Sequence, residues 1–138
     1  MTAKEYLRQA KHLDTKINTK LEHISSLHDL ATKATSTLSD MPGSPTRNTH
    51  RMEDIIIKIL MLENEINSDI DQLVDLKNNI LKAVSEIEDE DCRLVIEKRY
   101  LNNEPWDEIA MDMNCSIDNV FKIHGRALKK FKIPERLQ

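Results

Sequence analysis

Asn119, Lys122, Arg126 and Lys129 follow one another at steps of three and four in "CSIDNVFKIHGRALKKF", residues 115–131. On an α-helix that spacing puts them on one side. Asparagine can pair bidentately with adenine, and lysine and arginine can reach guanine or a phosphate, so the row is suited to a nucleic-acid groove. It lies at the basic end of an acidic chain. The formal net charge of the 138 residues is -4, yet residues 1–92 carry 11 Lys+Arg against 17 Asp+Glu and residues 93–138 carry 9 against 7. From Asn119 onward six cations are accompanied by one acid, Glu135. Such asymmetry points to an anionic partner for that end.

The elements that must hold this row are legible upstream of it. Pro105 suits a first helical position, and Trp106, Ile109, Ala110 and Met113 follow at helical spacing. Asn114 and Cys115 interrupt, and Ser116 is a good N-cap for the next helix, which turns Val120, Ile123, Ala127 and Phe131 inward with Leu128 beside them. Two short helices joined by a tight turn form a helix-turn-helix. Ile117, Asp118, Asn119, Phe121, Lys122 and Arg126 are then the expected base contacts. Phe121, exposed or on a flank, could meet a thymine methyl, and Asp118 either accepts from a cytosine amino group or only caps the helix. Ser116, Lys129, Lys130 and Lys132 are the expected phosphate contacts. A short preceding helix offers Leu94, Val95, Tyr100 and Leu101, and four of the five large aromatics lie from residue 100 onward, so a lobe spanning 89–138 is expected.

The stretch "WDEIA-x-DM-x-CSIDNVFKIHGRALKKF" resembles the promoter-reading helix-turn-helix in the fourth region of bacterial sigma factors. The resemblance covers about residues 93–132. An acidic helical hairpin carrying "ATKATSTLSDMPGSPTRNTHRMEDII" ahead of such a module is similar to a group of small prophage proteins of Gram-positive bacteria, some of which look related to phage late-gene transcription activators of the ArpU and RinA type. This resemblance implies a phage-encoded, sequence-specific regulator of transcription in the cytoplasm of a bacterial host, an activator working at a promoter with host RNA polymerase. Where sigma factors place arginines this helix has Ile117, Asn119 and Phe121, so their promoter preference does not carry over. Nothing before residue 90 has the basic, aromatic surface that opening a promoter needs.

Residues 1–88 read as a hairpin. Tyr6, Ala10, Leu13, Ile17, Lys20, Ile24, Leu27, Ala31, Ala34 and Leu38 alternate steps of four and three, and Met52, Ile55, Ile59, Leu62, Ile66, Asp69, Leu73, Leu76, Ile80, Ala83 and Ile87 repeat the rhythm. Between them "SDMPGSPTRNTH" predicts a loop near 40–49, with Asn48 or Thr49 capping the second helix. Pairing the two seams outward from that loop brings the two charged seam positions, Lys20 and Asp69, together with opposite sign, a register pair for an antiparallel coiled coil. Ile56, Ile70, Val74, Leu81 and Val84 widen the second stripe, so the second helix should touch more than one neighbour. The hairpin is suited to homodimerisation or to docking on RNA polymerase.

Two glycines, four prolines, 32% charged and 4% aromatic residues predict an all-α chain. No apolar run approaches membrane-spanning length. Cys92, Cys115 and five scattered histidines show no ligand spacing, and no nucleophile-base set or glycine-rich phosphate loop is present, so no metal, cofactor or enzymatic activity is expected. A DNA-packaging component like a small terminase subunit combines the same two parts and is the alternative reading. A protein-only adaptor is another.

Overall fold

The computed structural model describes the backbone of residues 1–40 and 45–134 and the side chains of residues 1–34 and 50–134. Among these the chain is all-α. Helix α1 spans Ala3–Asp40 and α2 spans Pro45–Ser85. Helix α3, Glu90–Ile96, continues into a π-helical turn at Glu97–Leu101, and α4 (Trp106–Asp112) and α5 (Ile117–Lys130) follow. Thr2 and Glu5 start α1 with a reciprocal capping box: the Thr2 hydroxyl accepts from the Glu5 N–H at 3.2 Å, and the Glu5 carboxylate accepts from the Thr2 N–H at 3.0 Å. Helix α2 begins at Pro45, ahead of the expected caps Asn48 and Thr49. Proline tolerates a first helical turn because the N–H it lacks has no intrahelical acceptor there. Of the loop expected near 40–49, Asp40 and residues 45–49 are helical instead, and residues 41–44 and the Leu38 side chain lie outside what the structure describes.

By contacts the chain divides into two compact units, one made of residues 15–71 and one of residues 1–14 with 72–138. In the first, α1 and α2 pack along the expected seam. Ile17, Ile59, Leu62, Ile66 and Asp69 are buried, Lys20, Ile24, Leu27, Ala31, Ala34, Met52 and Ile55 are half-buried, and the positions between them are mostly exposed. The widened stripe is not covered as expected. Ile56, Ile70, Val74 and Leu81 stay exposed, and of the widening positions only Val84 is fully buried.

The second unit joins the ends of α1 and α2 to the three short helices. Leu7, Ala10, Ile80 and Val84 are buried in it together with Cys92, Val95, Ile96, Tyr100, Ile109, Val120, Ile123 and Ala127. Leu7, not Tyr6, is the fully buried side chain of the first turns. Tyr6 is half-buried and its ring lies 6.0 Å from that of Phe131. The C-terminal helices thus share one core with residues far upstream, and burial of these apolar side chains supplies its main driving force.

A capped helix-turn-helix as candidate nucleic-acid interface

Helix α4 starts after Pro105, whose φ of -63° and ψ of 152° place it as the N-cap, one residue earlier in role than its composition suggests. Ile109 and Ala110 are buried, and the small Ala110 side chain permits close approach of its neighbours. The helix ends in a Schellman turn. The Cys115 N–H donates to the Ala110 carbonyl at 3.0 Å and the Asn114 N–H donates to the Met111 carbonyl at 3.2 Å. Asn114 takes φ 53° to make this turn, a left-handed conformation asparagine tolerates better than most residues. Ser116 then caps α5, its hydroxyl accepting from the Asn119 N–H at 3.1 Å. Ser116→Ala removes that acceptor and is expected to cost about 1 kcal/mol, read as a lower urea midpoint with an unchanged slope.

Helix α5 has two sharply different sides. Val120, Ile123, Ala127 and, just past the helix end, Phe131 are buried. Ile117, Asp118, Asn119, Phe121, Lys122 and Arg126 are all exposed, as are Ser116, Lys129, Lys130 and Lys132. Lys122, Arg126, Lys129 and Lys132 make no ion pair within 4 Å among the described residues. Lys130 differs, lying 3.8 Å from the Asp89 carboxylate that caps α3. Hydrogen bonds from the Cys92 backbone, more than that lysine, hold the Asp89 carboxyl below its ordinary range.

Behind the exposed row stands an aromatic wall that the spacing argument did not find. His124 is buried, and its Nε2 lies 2.7 Å from the Tyr100 hydroxyl. Trp106 meets His124 edge-on at 4.8 Å and Phe121 edge-on at 5.2 Å. The Arg99 guanidinium lies over the Trp106 ring at 4.4 Å and donates to the Glu104 carbonyl. Burial lowers the His124 pKa to about 4, helped by the charges of Lys4, Arg99 and Arg8, while burial raises that of Tyr100, so a neutral imidazole faces an intact phenol. The available signal was positional: His124 lies four residues after Val120 and three before Ala127, on the apolar side. The π-helical turn that carries Arg99 and Tyr100 ends with the Asn102 N–H bonded to the Glu97 carbonyl, and Asn103, at φ 56°, donates its amide to Asp14 of α1.

Away from this interface, in the unit of residues 15–71, Lys20 donates to Asp69 at 2.8 Å. Glu65 lies 3.3 Å from the same ammonium, and Lys16 lies 3.6 Å from the other Asp69 oxygen. The bond to Lys20 lowers the Asp69 pKa, and the bond to Asp69 raises that of Lys20. Among the described residues no group of three or more His, Cys, Asp or Glu side chains could hold a metal ion, and no helix is long and apolar enough to cross a membrane. Cys92 is buried and Cys115 half-buried, both as free thiols.

No curated protein and no solved structure matches the chain. A family pattern described as a protein of unknown function matches residues 41–132, more than half of the sequence and the whole of the helix-turn-helix, and the chain belongs to that family, DUF1492.

Proposed function

We propose that the protein is a phage-encoded, sequence-specific DNA-binding regulator of transcription, an activator that presents α5 to a promoter. The observation that carries this reading is the exposed row Asn119, Lys122, Arg126 and Lys129 on a helix whose start is capped and whose opposite side is buried, with its cations unpaired among the described residues. Unpaired cations on a rigid helix suit phosphates and guanine edges, and Asn119, whose backbone alone is engaged by Ser116, keeps its amide for a base. On this reading the hairpin serves dimerisation or contact with host RNA polymerase, and the exposed Ile56, Leu60 and Ile70 support such a contact.

The test is fluorescence anisotropy of the full chain with a duplex from the region upstream of its own gene and with a scrambled duplex, across a salt series, with mass determined in the same buffer. A specific, salt-dependent affinity from a monomer or dimer supports the regulator. Lys129→Ala should weaken binding to both duplexes and lower the salt slope by about 0.9, whereas Asn119→Ala should cost about 1–3 kcal/mol on the cognate duplex alone. Lys130→Ala should change less than Lys129→Ala, because Lys130 already has Asp89 beside it. Equal effects of Asn119→Ala on both duplexes would remove the base-reading role.

A protein-only adaptor is the second reading, favoured by the apolar side chains Met111, Ile117 and Phe121, exposed at 76%, 42% and 47% around the turn. Absence of DNA binding at low salt would select it.

A further inference from the structure

We propose that the first turns of α1 complete the DNA-binding surface, with Lys4 and Arg8 contacting phosphates beside the flank of α5 that ends at Phe131 and Lys132. This rests on the regulator reading and extends its footprint from one helix to both ends of the chain. The placement is geometric. Tyr6, between the two cations in sequence, tilts its ring against Phe131 at 6.0 Å, while Leu7 and Ala10 are buried, so this turn of α1 is pinned to the unit that carries α5. Lys4 and Arg8, one helical turn apart, are left exposed.

Neither cation has a counter-ion within 4 Å among the described residues. The nearest acids in sequence are engaged elsewhere: Glu5 caps α1 through Thr2, and Asp14 accepts from Asn103. A third cation, Arg99, is held over Trp106, which touches both His124 and Phe121. The charges of Lys4, Arg99 and Arg8 all act on His124 of α5, so cations from two distant stretches of sequence share its electrostatic surroundings. Like charges near one another without counter-ions oppose compaction, and a polyanion bound there offsets the cost. Duplex DNA lying along α5 brings a phosphate strand to each flank of the helix, and the turn that carries Lys4 and Arg8 is held to the α5 end of this unit through Tyr6 and Phe131.

The experiment uses the full-length protein, the upstream and scrambled duplexes, and the variants K4Q/R8Q, K4R/R8K and K129Q, each checked by thermal melting. K4Q/R8Q should weaken binding to both duplexes about tenfold at moderate salt and lower the salt slope by about two, and K4R/R8K should keep the wild-type slope. If K4Q/R8Q keeps the wild-type slope while K129Q loses about one, the α1 cations lie outside the footprint and this inference is overturned with the regulator reading intact. If K129Q also has no effect, or the wild type shows no salt-dependent binding, the regulator reading fails and this inference falls with it. A loss in K4Q/R8Q that K4R/R8K shares would assign the effect to shape, not charge, and would equally overturn it.

Discussion

Between pH 6.5 and about 4 the folded protein is expected to lose about 2–3 kcal/mol of stability through His124 alone. The folded state keeps this imidazole neutral down to about pH 4, because it is buried and because Lys4, Arg99 and Arg8 repel a further positive charge. The unfolded chain takes up the proton near the ordinary value of 6.5, so in that window it binds more protons than the folded state and acid favours it. Above the window His124 contributes no slope, and below it the loss is complete. Asp69 and Asp89, held below their ordinary 3.8 by hydrogen bonds, weaken the fold only at lower pH. Glu104 acts in the opposite sense, since burial raises its pKa and the folded state then protonates more readily. The readout is therefore the difference between wild type and His124→Gln in urea titrations at several pH values. Glutamine retains an acceptor for Tyr100 and does not titrate. An unchanged pH dependence in that variant would show that the buried imidazole is not the acid-sensitive group.

Replacing Lys20 by leucine should lower the melting temperature by several degrees. Asp69 is 5% exposed and its closest cation is Lys20, at 2.8 Å, with Lys16 reaching it only at 3.6 Å from a half-exposed position. A carboxylate left at an apolar seam without its main partner keeps the desolvation cost and loses most of the attraction. Lys20→Leu with Asp69→Leu removes both charges from the seam, so the double variant should recover wild-type stability or exceed it. Losses that simply add in the double variant would mean that the two side chains are energetically independent despite their distance. The same double variant should also relax the alignment of α1 on α2, because leucine pairs tolerate several registers where a buried ion pair does not.

The seam was legible because periodicity reports one-sided burial directly. Ile17, Ile59, Leu62, Ile66 and Leu73 all appear where the alternating steps put them. The apolar side of α5 was legible for the same reason, and Ser116 because a hydroxyl before a helical run has one common use. The exposure of Ile56, Ile70, Val74 and Leu81 departs from the expectation, since a broad stripe tells that a helix can meet more neighbours but not that the same chain supplies them. His124 has no ligand spacing to mark it, and its place among Val120 and Ala127, on the apolar side, is the guide to its burial. Arg99 and Lys4 lie outside any local motif. Their approach to α5 depends on the π-helical turn and on α1 returning to the C-terminal helices, neither of which has a short-range signature.

The sharing of one core by residues 1–14 and 72–138 sets a schedule for biosynthesis. Residues 3–14 are made about a hundred residues before α5, and at about 5–20 residues per second Tyr6 waits about 6–25 s for Phe131. During that interval the first helix has only its own capping box and later α2 to hold it, with Leu7 not yet enclosed. A truncated product starting at residue 89 would carry the opposite fault, an α5 in a unit whose core lacks Leu7, Ala10, Ile80 and Val84. Premature stops within α5 are thus expected to loosen residues 1–14 as well as the C-terminal helices.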